Sequence, residues 1–105
     1  MKQMSPRQHK VAKEVQHLAA TALLQGRIHS TLPLHRITVV DCWISADLRL
    51  ARLYLETPQG ANQAEFIEQA NFELSKPLRK YLAENLATRN APSLTFVATT
   101  DDPFR

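Results

Sequence analysis

The residues of this chain best suited by type and spacing to do chemistry are cations, and the chemistry is the holding of a polyanion. Lys76, Arg79 and Lys80 stand within five positions around Pro77. Arg7, Lys10 and Lys13 recur every three residues near the start of the chain, a spacing that places them along one side of a helix. Ammonium and guanidinium groups both bind phosphate oxygens, the first as a point charge and the second as a planar fork. Pro77 reads as the opening of a new helix, because proline is tolerated where its missing N–H would be unpartnered anyway. The first N–H groups of a helix lack partners and carry partial positive charge. Ser75 could cap that start or donate to a phosphate. On this reading Ser75, Lys76, Arg79 and Lys80 form an anion site at a helix N-terminus, with Arg7, Lys10 and Lys13 as a second contribution. The same residues also fit two solvated helix faces. Neutralising about six phosphates would give log affinity against log salt a slope of roughly −4 to −5.

Other chemistries find little support. His9 and His17 are eight residues apart, about 12 Å along a helix, so they cannot chelate one ion. No cysteine or carboxylate cluster joins His29 or His35, and no metal is expected. A single cysteine, Cys42, forms no internal disulfide and no zinc finger; alternation with Val40 and Ile44 makes it a small core residue. Asp101 and Asp102 are adjacent near the end, a poor geometry for paired acid–base work. Two isolated glycines, Gly26 and Gly60, exclude a phosphate-cradling P-loop or a dinucleotide fingerprint. No enzyme activity and no cofactor is expected. Trp43 and Tyr54 fall on the sheet face opposite Cys42 and Ala51, either to stack on bases or to pair across strands.

The elements that must position these groups follow from periodicity. The chain has 105 residues, 44% of them apolar and 22% charged, enough for one globular domain over 1–105 with frayed ends at 1–5 and 100–105. Its formal charge of +3 is unevenly spread. Residues 1–36 carry +5, residues 37–75 carry −4 and residues 76–105 carry +2. Such an oriented charge distribution favours a polyanion arriving from one side. No run of about 18 apolar residues exists to span a membrane, and the polar, basic start lacks the core of a secretory signal, so a cytoplasmic protein is expected.

Ser5 and Pro6 open a helix over about 6–28, with Val11, Val15, Leu18, Ala22 and Ile28 on its apolar face. Residues 29–36 form a loop. Strands are expected over 37–44 and 48–56, joined by a Ser45-Ala46-Asp47 turn into an antiparallel hairpin. A helix over about 61–75 carries Phe66, Ile67, Ala70 and Leu74. Pro77 disfavours helical geometry at its predecessor and removes a helix hydrogen bond, so the helix must stop or kink there. Leu78, Leu82 and Leu86 resume the period to about residue 88, and a last strand runs over 94–98. The class is α+β: order α-β-β-α-kink-α-β, helices on one face of a three-stranded sheet.

Four stretches, in this order and spacing, carry a likeness to a known family. Arg7-Gln8-His9-Lys10-Val11-Ala12-Lys13-Glu14-Val15 resembles its opening helix of basic residues, Val-Ala and an acid. Ile44-Ser45-Ala46-Asp47-Leu48 resembles its Ser-x-Asp-Leu hairpin turn. Ala51-Arg52-Leu53-Tyr54-Leu55 resembles its Ala-Lys-Val-Tyr-Val strand, and Ala91-Pro92-Ser93-Leu94-Thr95-Phe96 its Pro-x-Leu-x-Phe strand entry. Over about residues 6–101 the chain resembles the ribosome-binding factor A family. The resemblance implies a two-layer, type II K-homology fold (KH-like). It also implies a monomeric, non-enzymatic, cytoplasmic factor that binds the free or immature small (30S) ribosomal subunit through 16S rRNA. Such a factor supports rRNA maturation, alongside other assembly factors.

Two departures from the family are expected: its members commonly run on beyond the Asp101 region, and the helix junction differs. K-homology domains clamp a nucleic-acid backbone with Gly-x-x-Gly, and this family carries Ala-x-Gly at the corresponding helix junction. An ungapped register from Pro92 puts Leu74-Ser75-Lys76 there. A gapped one puts Ala70-Asn71-Phe72 there and leaves Pro77 inside a helix. The first is preferred because it sets the proline at the break. Two rival classes remain: a KH-like RNA-binding module outside the ribosome, and a protein-interaction module using an outer sheet face of Ile37, Val39, Trp43, Tyr54 and Val97.

Overall fold

The computed structural model describes residues 4–87 and 90–101. Helix α1 spans Pro6–Leu24, strand β1 Thr38–Ile44, strand β2 Leu50–Glu56, helix α2 Gln63–Asn85 and strand β3 Ser93–Ala98. Short 3-10 turns cover Leu34–Arg36 and Thr99–Asp101. Of the ends expected to fray, Met4 packs against the core and Ser5 caps α1. Residues 1–3 and 102–105 lie outside the described residues.

Local chemistry explains where α1 starts and stops. The Gln8 N–H donates to Ser5 Oγ at 3.2 Å and the Ser5 N–H to Gln8 Oε1 at 2.8 Å, a reciprocal capping box, with Pro6 in the first turn. Gly26, at φ +65, ends it. Its N–H donates to the Leu23 carbonyl at 3.3 Å, and that of Arg27 to the Ala22 carbonyl at 3.0 Å. This pairing is the Schellman closure that a left-handed glycine makes possible. The helix therefore ends at Leu24, short of the expected Ile28. Its buried face is Ala12, Val15, Ala19, Ala22 and Leu23; small side chains let it lie close to the sheet, with Val11 and Leu18 at the margin.

The sheet order is β1-β2-β3, with β1–β2 antiparallel and β2–β3 parallel. The parallel pair requires a crossover, and α2 provides it. A register shift between Val39 and Asp41 marks a bulge, which reverses the expected alternation: Val39 is buried and Val40 only half-buried. Cys42 and Ile44 point into the core as expected. Both outer strands are covered by helix side chains. Gln8 Nε2 donates to the Ile44 carbonyl at 2.8 Å and Gln16 Nε2 to that of Val40 at 3.2 Å. On β3, Asn71 Nδ2 donates to the Phe96 carbonyl at 2.9 Å and its Oδ1 accepts the Phe96 N–H at 2.7 Å. Unpaired edge groups invite foreign strands; these bonds satisfy several of them internally.

Element order and layering agree with expectation; of the two outcomes expected at Pro77, a stop or a kink, the stop does not occur. One helix runs through it from Gln63 to Asn85. Proline in a helix interior costs about 3 kcal/mol, because the Glu73 carbonyl loses its donor. Phe66, Ala70, Leu74, Leu78 and Leu82 are nonetheless all buried along one stripe. Burying Leu78 and Leu82 alone contributes roughly 3–6 kcal/mol, which outweighs the proline. Among the described residues no helix is long and apolar enough to cross a membrane.

Candidate nucleic-acid interface

The second half of α2 presents Lys76, Arg79, Lys80 and Ala83 to an open groove of about 1070 Å³. Three other segments complete it. Arg7 enters from the first turn of α1, Asp47, Leu48 and Arg49 from the β1–β2 turn, and Asn90, Ala91 and Ser93 from the approach to β3. Five cations thus face one carboxylate. Among the described residues, the Lys76 and Lys80 ammonium groups make no hydrogen bond or ion pair. Arg79 Nε donates weakly to the Ala91 carbonyl at 3.4 Å, leaving most of its fork for another acceptor.

The turn that carries Arg49 is tightly built. Ser45 Oγ donates to Asp47 Oδ1 at 2.6 Å, and the same oxygen accepts the Arg49 N–H at 3.0 Å. These bonds, the Ser45 hydroxyl first, hold the Asp47 carboxyl below its usual range. Leu48 takes the left-handed conformation, φ 62, which is strained for a side chain of its size. The Ser93 N–H donates to the Arg49 carbonyl at 2.8 Å, fixing this turn against the start of β3. Arg49 and Asn90 were not singled out from sequence. Arg49 sits in the acidic middle of the chain, and the only local signal for it is its place just after the Ser-x-Asp-Leu turn.

Of the seven expected site residues, Arg7, Lys76, Arg79 and Lys80 converge. Lys10, Lys13 and Ser75 do not. Lys10 is exposed outside the groove. Lys13 lines a separate hollow by β1 with Met4, His9, Gln16 and Asp41. The stripe on α1 is thus split around the helix. Ser75 neither caps a helix nor faces the groove: its Oγ donates to the Leu94 carbonyl at 3.1 Å, tying α2 to β3. Nor does Pro77 start a helix, so the expected anion site made of free N–H groups is absent there. The real N-terminus of α2 is capped by Asn62, with Glu65 in its first turn. The groove attracts anions through side-chain charge alone. The ground for preferring Leu74-Ser75-Lys76 as the family junction, a break at the proline, also falls away.

The aromatic expectation divides. Tyr54 is 1% exposed and closed to a base. Trp43 is half-buried, with the Arg52 guanidinium 5.0 Å from its ring centroid, a cation–π contact. Ile37 and Val39 belong to the buried core, so the outer surface invoked for protein interaction loses three of its five members. The Cys42 thiol is pushed up to about 12 by burial and by the Asp41 carboxylate, which makes it unreactive. Among the described residues, no three histidine, cysteine or acidic side chains gather as a metal group.

Two helices on one face of a mixed three-stranded sheet, with a cationic groove at one end, define a KH-like two-layer domain of the second topology. The chain belongs to the ribosome-binding factor A family, whose model matches residues 7–102. It is 36% identical over 95 residues to ribosome-binding factor A of Nitrobacter hamburgensis, covering 90% of this chain and 69% of that one. The same factor from a Bradyrhizobium species is 37% identical over 95 residues, covering 90% and 68%. Among solved structures, a Thermotoga maritima protein described as a candidate ribosome binding factor A superposes with a TM-score of 0.71 at 26% identity, over 92% of this chain and 91% of that one. The crystal structure of the Thermus thermophilus factor shares the fold, with a TM-score of 0.69 at 16% identity over 87% and 94%.

Proposed function

We propose that this chain binds the free or immature small (30S) ribosomal subunit through 16S rRNA and supports its maturation by holding one rRNA conformation. It acts as a single-domain, monomeric, cytoplasmic factor that catalyses nothing itself, alongside other assembly factors. One observation carries the reading: five cations from three separate chain segments converge on one groove with a single carboxylate among them. Like charges gathered this way repel one another in the isolated protein, and a phosphate backbone relieves that repulsion. Membership of the family supports the ribosomal partner. So does a Thermus thermophilus relative of the same fold, whose coordinates were fitted into a map of a 30S complex.

Co-sedimentation tests it. The chain should pellet with free small subunits and stay in solution with mature ribosomes. Its affinity should fall with salt at a slope of about −3.5 to −4.5 for five phosphate contacts. Equal binding to any free RNA would favour a KH-like module outside the ribosome. A slope near zero would remove the groove from the mechanism.

A further inference from the structure

The cationic groove has an aromatic extension. Phe72 is 83% exposed, and no described residue makes a ring contact with it. Every other aromatic side chain among the described residues is occupied: Tyr54, Phe66 and Phe96 are buried, Tyr81 packs against the core, and Arg52 sits over Trp43. A lone exposed apolar residue is ordinary on a protein surface. The position of this one is not. Phe72, Lys76, Arg79 and Ala83 follow steps of four, three and four, so they share one ridge of α2. The last three line the groove. The ridge therefore leaves the groove onto a bare phenyl ring, about 6 Å along the helix axis from Lys76.

We infer that Phe72 is a stacking platform for an unpaired nucleobase of an RNA strand whose phosphates lie along Lys76, Arg79 and Lys80. The inference rests on the RNA reading above and narrows it to single-stranded or looped RNA. A cationic track with an adjoining aromatic face is the arrangement that holds single strands, since every base offers a π-face. In an A-form duplex the base faces are stacked on each other and unavailable, and proteins reach only edges, 2′-hydroxyls and phosphates. The ring therefore discriminates by strandedness, and the cations by charge.

The test uses the whole chain and three probes: a single-stranded oligoribonucleotide, an abasic strand of equal length, and an RNA duplex. F72A should weaken the single strand roughly 5- to 150-fold, leave the abasic strand and duplex unchanged, and keep the salt slope. F72W should restore binding. Phe72 makes no core contact, so F72A should fold normally. If F72A binds the single strand like the parent while K76A/R79A weakens it, the groove reading survives and the stacking inference fails. If neither variant changes affinity, the groove reading fails and takes the inference with it. Equal weakening on the abasic strand would also overturn the inference. So would loss confined to intact subunits, which would assign Phe72 to a ribosomal protein.

Discussion

The two halves of α2 share one apolar stripe and differ in what their charges do. From Gln63 to Ser75 the helix carries Glu65, Glu68 and Glu73 and no cation; beyond Ser75 it carries Lys76, Arg79 and Lys80 against Glu84. In the first half, Glu73 is consumed by the fold. Its carboxylate accepts from Ser30 Oγ at 2.8 Å, from the Thr31 N–H at 2.7 Å, from Thr31 Oγ1 at 2.5 Å and from Gln69 Nε2. It thereby pins the 29–36 loop to the helix. In the second half the ammonium groups are left open. A helix macrodipole acts within the first and last turns, so it favours Glu65 but does not account for Lys76, Arg79 and Lys80, since the last turn of α2 holds no base. Nor does it account for Arg7 and Arg49, which belong to other elements and converge on the same basic half. The difference separates charges that build the fold from charges kept for a partner.

The largest expected effect breaks the basic half. K76A/R79A/K80A should lower affinity for small subunits on the order of 100-fold and shrink the salt slope by about 2 to 3, with thermal stability unchanged or raised. Unchanged sedimentation would show that the two halves do not differ in function. The boundary itself comes next. P77A restores a helical hydrogen bond and should stabilise the protein by about 1–3 kcal/mol in urea unfolding. A destabilised P77A would mean that the helix needs its proline and that the halves are separate helices after all.

Smaller effects sharpen the assignment. S75A removes the bond to the Leu94 carbonyl and should cost about 0.5–1.5 kcal/mol of stability while leaving RNA affinity intact. A drop in affinity at full stability would return Ser75 to the site. The smallest is a pH effect on the acidic half. Its four donors, Gln69 and Thr31 foremost, bring the Glu73 carboxyl down to about 2 from the ordinary value of 4.5. The folded value lies below the unfolded one, so the stabilisation is present in full above about pH 4.5 and is lost as pH falls toward 2. E73Q should flatten acid unfolding in that window; an identical acid limb would show the clasp contributes nothing.

Much of the fold was legible in the sequence because its signals are local. The Ser5–Gln8 capping box, the alternation of β2 and the Ser-x-Asp turn are each decided by neighbours within a few positions. Misreadings arose where distant contacts overrode a local rule. Pro77 should stop or kink a helix, yet the helix does not stop there, because Leu74, Leu78 and Leu82 bury on both sides of it. Val40 should alternate inward with Cys42, yet the bulge turns Val39 in. The candidate site was legible only as cation clusters. Arg7, Lys76, Arg79 and Lys80 line one groove, while Lys10 and Lys13 are turned away by the rotation of about 100° per residue along α1.

The amino-acid sequence by itself determined the element order, the inward faces and the stock of charges, since those depend on residue type and short-range geometry. Only the tertiary structure decided that α2 is continuous, that β3 pairs parallel to β2, and that Arg49 joins Arg7 and the α2 cations in one groove. Each of these depends on burial and backbone pairing between residues tens of positions apart, which no local pattern encodes.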